Sequence, residues 1–216
     1  MMGNFWLLNR RRRWAAVCIS KCGCSTLKYH ALADDAGLDP ATLSHNELHD
    51  RVGYAANHFL APITADPPDG YVRFAVWRDP VDRFLSVMRN FGAGGHARRN
   101  FAGLADLDTA AWIDFTLAEL RKPTLRQDEH LRRQADYFDA GQLDALVELS
   151  SLTRWLGARF GHAPIVRNRS ATRTIALSES QRRALRELYA KDEALPARAR
   201  DLGVPFVETA SVIEPG

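Results

Sequence analysis

Twice by residue 90 the chain runs from a short apolar stretch through a polar loop into a helical pattern, and this repetition constrains the fold most. The first unit is Trp14 to Ser20 (WAAVCIS), a run with the look of a buried strand, followed by KCGCST and then by LKYHALADDAG, a predicted helix stopped at Gly37. The second begins at Tyr71. YVRFAVW predicts a strand, Asp79 an N-cap with Pro80 in the first turn, and Val81, Phe84, Leu85 and Met88 fall on one helix face at i, i+3, i+4, i+7. Further along, Asp108 caps a predicted helix carrying Trp112, Phe115 and Leu120. Ala145 to Leu149 predicts a strand, with a helix through Trp155 and Phe160 after it. Ser178 and Gln181 fit a capping box ahead of the stripe Leu185, Leu188, Tyr189. Strands alternating with helices predict an α/β fold with a mostly parallel sheet. Segments 38–70 and 90–107 are polar and weakly patterned, and are expected as long connections of the kind that hold substrate.

Length and composition narrow the class. The 216 residues suit a single domain over 1–216, with 1–13 read as a basic N-terminal segment and about 205–216 as a C-terminal tail. A hydrophobic fraction of 46% with 25% charged residues excludes disorder or coiled coil as a description of the whole. No apolar run approaches the roughly 18 residues of a membrane span. The basic cluster Arg10 to Arg13 follows the apolar residues at the amino end, the reverse of a signal peptide, so a cytoplasmic location is expected. Net charge is +3, yet of 29 basic residues only Lys21, Lys28, Lys122 and Lys191 are lysines. Arginine suits bidentate binding of phosphate or carboxylate, which favours an anionic ligand. Cys18, Cys22 and Cys24 are the three cysteines, and a structural zinc site wants four ligands with a different spacing, so no metal is expected.

The first loop has the parts of an anion site. Gly23 lets the backbone approach, Ser25 and Thr26 put hydroxyls at the helix start, and Lys21 supplies a point charge. It is not the G-x4-G-K-[ST] loop, because the lysine here precedes the only glycine. In the second unit Arg78 stands at the end of a strand, with Arg83 and Ser86 three apart on the following helix. Arg78 and Ser86 make a cradle for a second phosphate, which suggests a ligand with two phosphate-like groups.

These residues resemble a known family. VCISKCGCSTLKYHAL resembles the 5′-phosphosulfate loop of the carbohydrate sulfotransferases grouped as sulfotransferase family 2, and FAVWRDPVDRFLSVMRNF is similar to their 3′-phosphate element, R-D-P-x-x-R-x-x-S. DEHLRRQ (Asp128 to Gln134) resembles their D-E-H-W-x-P-Q segment, and LYAKDEAL (Leu188 to Leu195) their terminal helix, L-Y-x-x-D-x-x-L. The four landmarks run in the family's order across residues 17 to 195. Leu131 and Arg133 depart from the pattern, standing where the family has Trp and Pro, which leaves the acceptor open.

The resemblance implies a P-loop-like three-layer fold, with 3′-phosphoadenylyl sulfate (PAPS) as cosubstrate and no metal. The sulfuryl group would pass to a hydroxyl on a small-molecule or glycan acceptor; sugar, lipid, phenol and peptide all remain open. Lys21 would meet the charge that develops on the leaving oxygen, and Lys21, Cys22, Gly23, Cys24, Ser25 and Thr26 would hold the 5′-phosphate. Arg78 and Ser86 would take the 3′-phosphate. Arg169 and Ser170, in RNRSATR, either close over the nucleotide or belong to a solvated arginine loop. The base that takes the acceptor proton is expected at His130, with His58 and Glu129 as the alternatives. A small-molecule kinase is the nearest enzymatic rival, set back by the misplaced lysine and by a second phosphate site that ATP would leave empty. An Arg-rich nucleic-acid-binding module is the non-enzymatic rival, set back by the modest net charge and the lack of a reading motif. Arg10 to Arg13 are expected on the surface before the first strand, or steering an acidic acceptor.

Overall fold

A computed structural model gives the fold and describes residues 5–35, 37, 42, 44, 47–48, 51–52, 60–62, 66–92, 108–165 and 175–208. Trp14–Val17 (β2) is buried at every position and has a paired strand on each edge. One neighbour is Phe5–Asn9 (β1), antiparallel, in register from Trp6↔Val17 to Asn9↔Trp14. Leu60–Pro62 (β3) adds to the far side of β1, also antiparallel. On the other edge of β2 lie Val72–Trp77 (β4), Ala145–Glu148 (β5) and Phe206–Val207 (β6), each parallel to the strand before it. The sheet order is β3-β1-β2-β4-β5-β6, so the protein is α/β with a mixed, mostly parallel sheet flanked by helices.

The helices follow from the patterns that predict them. Cys24–Asp35 (α1) leaves the first loop and ends just before Gly37, whose φ is +59°. Pro80–Gly92 (α2) starts at the expected proline, with Asp79 Oδ1 accepting from Asp82 N at 3.0 Å. Asp108 caps Thr109–Leu120 (α3) in the same way through Ala111 N. Leu152–Phe160 (α4), Glu179–Leu188 (α5), Ala190–Glu193 (α6) and Leu195–Asp201 (α7) follow, and α5 opens on a full capping box between Ser178 and Gln181. One core joins the sheet to Leu27, Ala31 and Leu32 of α1 and Leu152 and Leu156 of α4. A second core away from the sheet holds Phe84 and Met88 of α2, Trp112 of α3 and Leu185 of α5, with Leu131 and Tyr189. No helix among the described residues is long and apolar enough to cross a membrane.

The sequence expectations need correction at the strands. β2 ends at Val17 rather than Ser20, because Ile19 N turns back onto Val17 O at 3.1 Å. Residues 5–13 belong to the sheet rather than to a segment ahead of it: Phe5–Asn9 is a strand whose Trp6, Leu7 and Leu8 are buried, and Arg10 to Arg13 form the exposed hairpin turn after it. Phe206 and Val207, expected in a tail, pair with β5, and β3 lies inside the expected connection 38–70. What positions the site is direction. β2, β4 and β5 are parallel, so their carboxyl ends open at one edge of the sheet, where α/β folds bind ligands.

Candidate functional site

The loop after β2 is a tight turn with two residues at positive φ, Lys21 at 69° and Gly23 at 77°. Gly23 has a second reason to be glycine: a Cβ there would stand 2.7 Å from Leu152 Cδ2 and 3.1 Å from Leu149 Cδ1. A lysine has no such ease in the left-handed region, and strain of this kind concentrates at functional sites. The first backbone bond of α1 runs from Leu27 N to Gly23 O, and no acidic side chain stands in its first turn. Cys24, Ser25 and Thr26 therefore open a helix whose positive end is suited to an anion. Burial holds the Lys21 ammonium below the ordinary lysine range, with Arg78 and Arg83 adding to the effect against an opposing pull from Cys24. Cys22 turns inward, where burial pushes its thiol up to about 12 and Sγ donates to Gln134 Oε1 at 3.2 Å. Burial pushes Cys18 up to about 12 as well.

The end of β4 comes directly onto this loop. Arg78 Nη1 donates to the Lys21 carbonyl at 3.1 Å, so the residue that follows the second strand is tied directly to the first loop. Arg83 is different. It is 2% exposed and donates to three carbonyls, Ser20 at 3.1 Å, Arg132 at 2.9 Å and Glu129 at 3.3 Å. Its donors are committed to backbone, so it clamps the loop against segment 128–134 rather than facing a ligand. Ser86 lies on α2 one turn beyond Arg83, 6% exposed.

Gln134 is the centre of the arrangement. Its side-chain amide pairs with both backbone groups of Arg78, Oε1 accepting from Arg78 N and Nε2 donating to Arg78 O, each at 2.9 Å. Beneath it Asp192 is fully buried, Oδ1 accepting from Ala135 N at 2.9 Å and Oδ2 from Gln134 N at 2.9 Å and Nε2 at 3.4 Å. Burial raises the Asp192 carboxyl above its usual range, while Arg83 and these three donors pull the other way. Trp77 Nε1 donates to the Asp192 carbonyl at 2.8 Å, and Tyr189 OH to Leu131 O at 2.9 Å. Lys21–Thr26, Arg78–Ser86, Asp128–Gln134 and Leu188–Leu195 thus converge on one buried polar network.

His130 lies on segment 128–134. Its Nδ1 is 3.0 Å from Asp128 Oδ1, which also accepts from its backbone N at 2.8 Å. With Asp128 ionised, that contact places a proton on Nδ1 and leaves Nε2 as the basic nitrogen. Arg83 reaches both Ser20 O and Glu129 O, so Glu129 and His130 sit on the strip of chain clamped beside the first loop. His58, Arg169 and Ser170 lie outside the described residues. Among the described residues no three His, Cys, Asp or Glu side chains are grouped to hold a metal ion. Gln134 and Asp192 stand within motifs legible in the sequence, but nothing in their spacing signals that they meet. No family model, no curated protein and no solved structure matches the chain.

Proposed function

We propose that the chain is a PAPS-dependent sulfotransferase acting on a hydroxyl acceptor, carbohydrate by the resemblance, with its site at the carboxyl ends of β2 and β4 of a P-loop-like fold. The observation that carries this reading is the joining of the two loops: Arg78, in the position of a 3′-phosphate arginine, donates to the carbonyl of Lys21, which opens the loop read as holding the 5′-phosphosulfate. A donor with phosphates at both ends of its ribose suits two anion elements so joined. In the transfer the acceptor oxygen forms a bond to sulfur as the bond from sulfur to the bridging phosphate oxygen breaks. The leaving group is 3′,5′-adenosine diphosphate, and the acceptor proton passes to a base. Positioning and charge stabilisation carry most of such a displacement. Lys21 faces the bridging oxygen, the amino end of α1 takes the 5′-phosphate, and Arg78 with Ser86 takes the 3′-phosphate. His130 is the base, its tautomer set by Asp128, and Glu129 is the alternative beside it.

The deciding experiment is thermal denaturation with nucleotides. At 100 times its dissociation constant, 3′,5′-adenosine diphosphate should stabilise the protein by about 2.7 kcal/mol, while ATP with magnesium leaves the midpoint nearly unchanged. A larger shift with ATP and magnesium would transfer the site to a kinase.

A further inference from the structure

We propose that Asp192 and Gln134 are positioning residues for Arg78, setting the selectivity of the site for a nucleotide that carries a 3′-phosphate; this rests on the donor reading above. The geometry is specific. β4 stops pairing with β5 at Trp77↔Glu148, and the next residue, Arg78, takes Gln134 as its partner. The side-chain amide of Gln134 replaces the missing strand with one acceptor and one donor. Such an amide has two orientations, and only one serves here, because Arg78 N must meet an acceptor and Arg78 O a donor. Asp192 selects that orientation. As a carboxylate it is acceptor-only, so the group of Gln134 that approaches Oδ2 must be Nε2. Cys22 adds the complementary constraint, its thiol donating to Oε1 from the first loop. Asp192 also fixes the main chain of Gln134 and Ala135, so the carboxylate holds both the backbone and the side chain of the residue that holds Arg78. The guanidinium of Arg78 leaves this fixed backbone for the carbonyl of Lys21. A single buried carboxylate therefore sets where the arginine stands relative to the first loop, without itself reaching the ligand.

The measurement is the ratio of affinities for 3′,5′-adenosine diphosphate and 5′-AMP, by titration calorimetry. Asp192→Asn puts a donor in place of one of the two oxygens that accept from the Gln134 and Ala135 backbone N–H groups, and Gln134→Met keeps the volume without the amide. Each should lower the ratio by about tenfold or more, the scale of a lost charge-assisted hydrogen bond, with 5′-AMP affinity little changed. In an Arg78→Ala background the same substitutions should leave the ratio where Arg78→Ala alone puts it, which a general loosening of the fold would not do. A variant that keeps the wild-type ratio, or lowers it equally without Arg78, overturns the proposal. If the wild-type protein does not distinguish the two nucleotides, the donor reading fails instead. Should both variants unfold, hydrogen exchange on the wild type decides. By reciprocal coupling, 3′,5′-adenosine diphosphate should slow the Arg78, Gln134 and Ala135 amides more than 5′-AMP does, and equal protection overturns the proposal.

Discussion

Lys21 and Gly23 lie two residues apart in one turn, and their substitutions separate chemistry from packing. The Lys21 ammonium is held below its ordinary range by burial and by Arg78 and Arg83, so it sits in a site already rich in positive charge that an anion would relieve. Lys21→Ala should lower the single-turnover rate with PAPS by about 10²–10³-fold, the yield of one group aimed at developing charge, while calorimetric affinity for 3′,5′-adenosine diphosphate falls much less. Full activity would remove Lys21 from the mechanism. Gly23→Ala meets both a positive φ and the Leu152 methyl at 2.7 Å. Overpacking of this kind costs about 1–3 kcal/mol, and the urea midpoint should fall accordingly. An unchanged midpoint would mean that α4 yields without cost.

Helices were legible element by element because their signals are local. Asp79 with Pro80, Asp108, and Ser178 with Gln181 each cap the helix that they predict, and the stripe Val81, Phe84, Leu85, Met88 is buried as its spacing requires. Ser178 Oγ accepts from Gln181 N at 3.2 Å while Gln181 Oε1 accepts from Ser178 N at 2.9 Å. Ser178→Ala should therefore cost about 1 kcal/mol, read as a lower urea midpoint; no loss would show that α5 is held by its core contacts alone. The strands were less legible. β3 and β6 span three and two residues, too short for a pattern, and they are strands because a longer neighbour offers its edge. β1 was hidden by the arginines after it, which are a turn and not the continuation of a basic segment.

At the scale of the molecule, the sheet carries polar clusters at both ends. Opposite the site, Trp14 Nε1 donates to His162 Nε2 at 3.0 Å, and the His30 ring lies 4.1 Å from that of His162. Asp34 faces them from α1, taking a hydrogen bond from Asn9 at 2.8 Å and lying 3.5 Å from Arg12 Nε. Burial, with His162 beside it, lowers His30 to about 4, and burial lowers His162 as well. Between that value and the ordinary one near 6.5 the unfolded chain binds a proton that the folded chain refuses, so stability falls as pH drops through 6.5 and the loss levels off below 4. His30 alone should account for roughly 3 kcal/mol between pH 7 and 4. Urea unfolding across that range should give a flatter profile for His30→Leu than for the wild type, and parallel profiles would refute the assignment. Both histidines are remote in sequence, and no pattern announces that they stack. The same division runs through the whole chain. Sequence alone determined the α/β class, the caps of α2, α3 and α5, and the two loops that follow apolar strands, because turn chemistry and apolar periodicity act over a few residues. Tertiary structure alone decided that Arg83 clamps carbonyls, that Cys22 faces inward, and that Arg78 meets Gln134, 56 residues along the chain, which in turn meets Asp192, 58 residues further on. A hydrogen bond between distant residues has no local signature: it exists because parallel strands bring their carboxyl ends to one edge, and a group buried there must find its partner among whatever the fold has gathered.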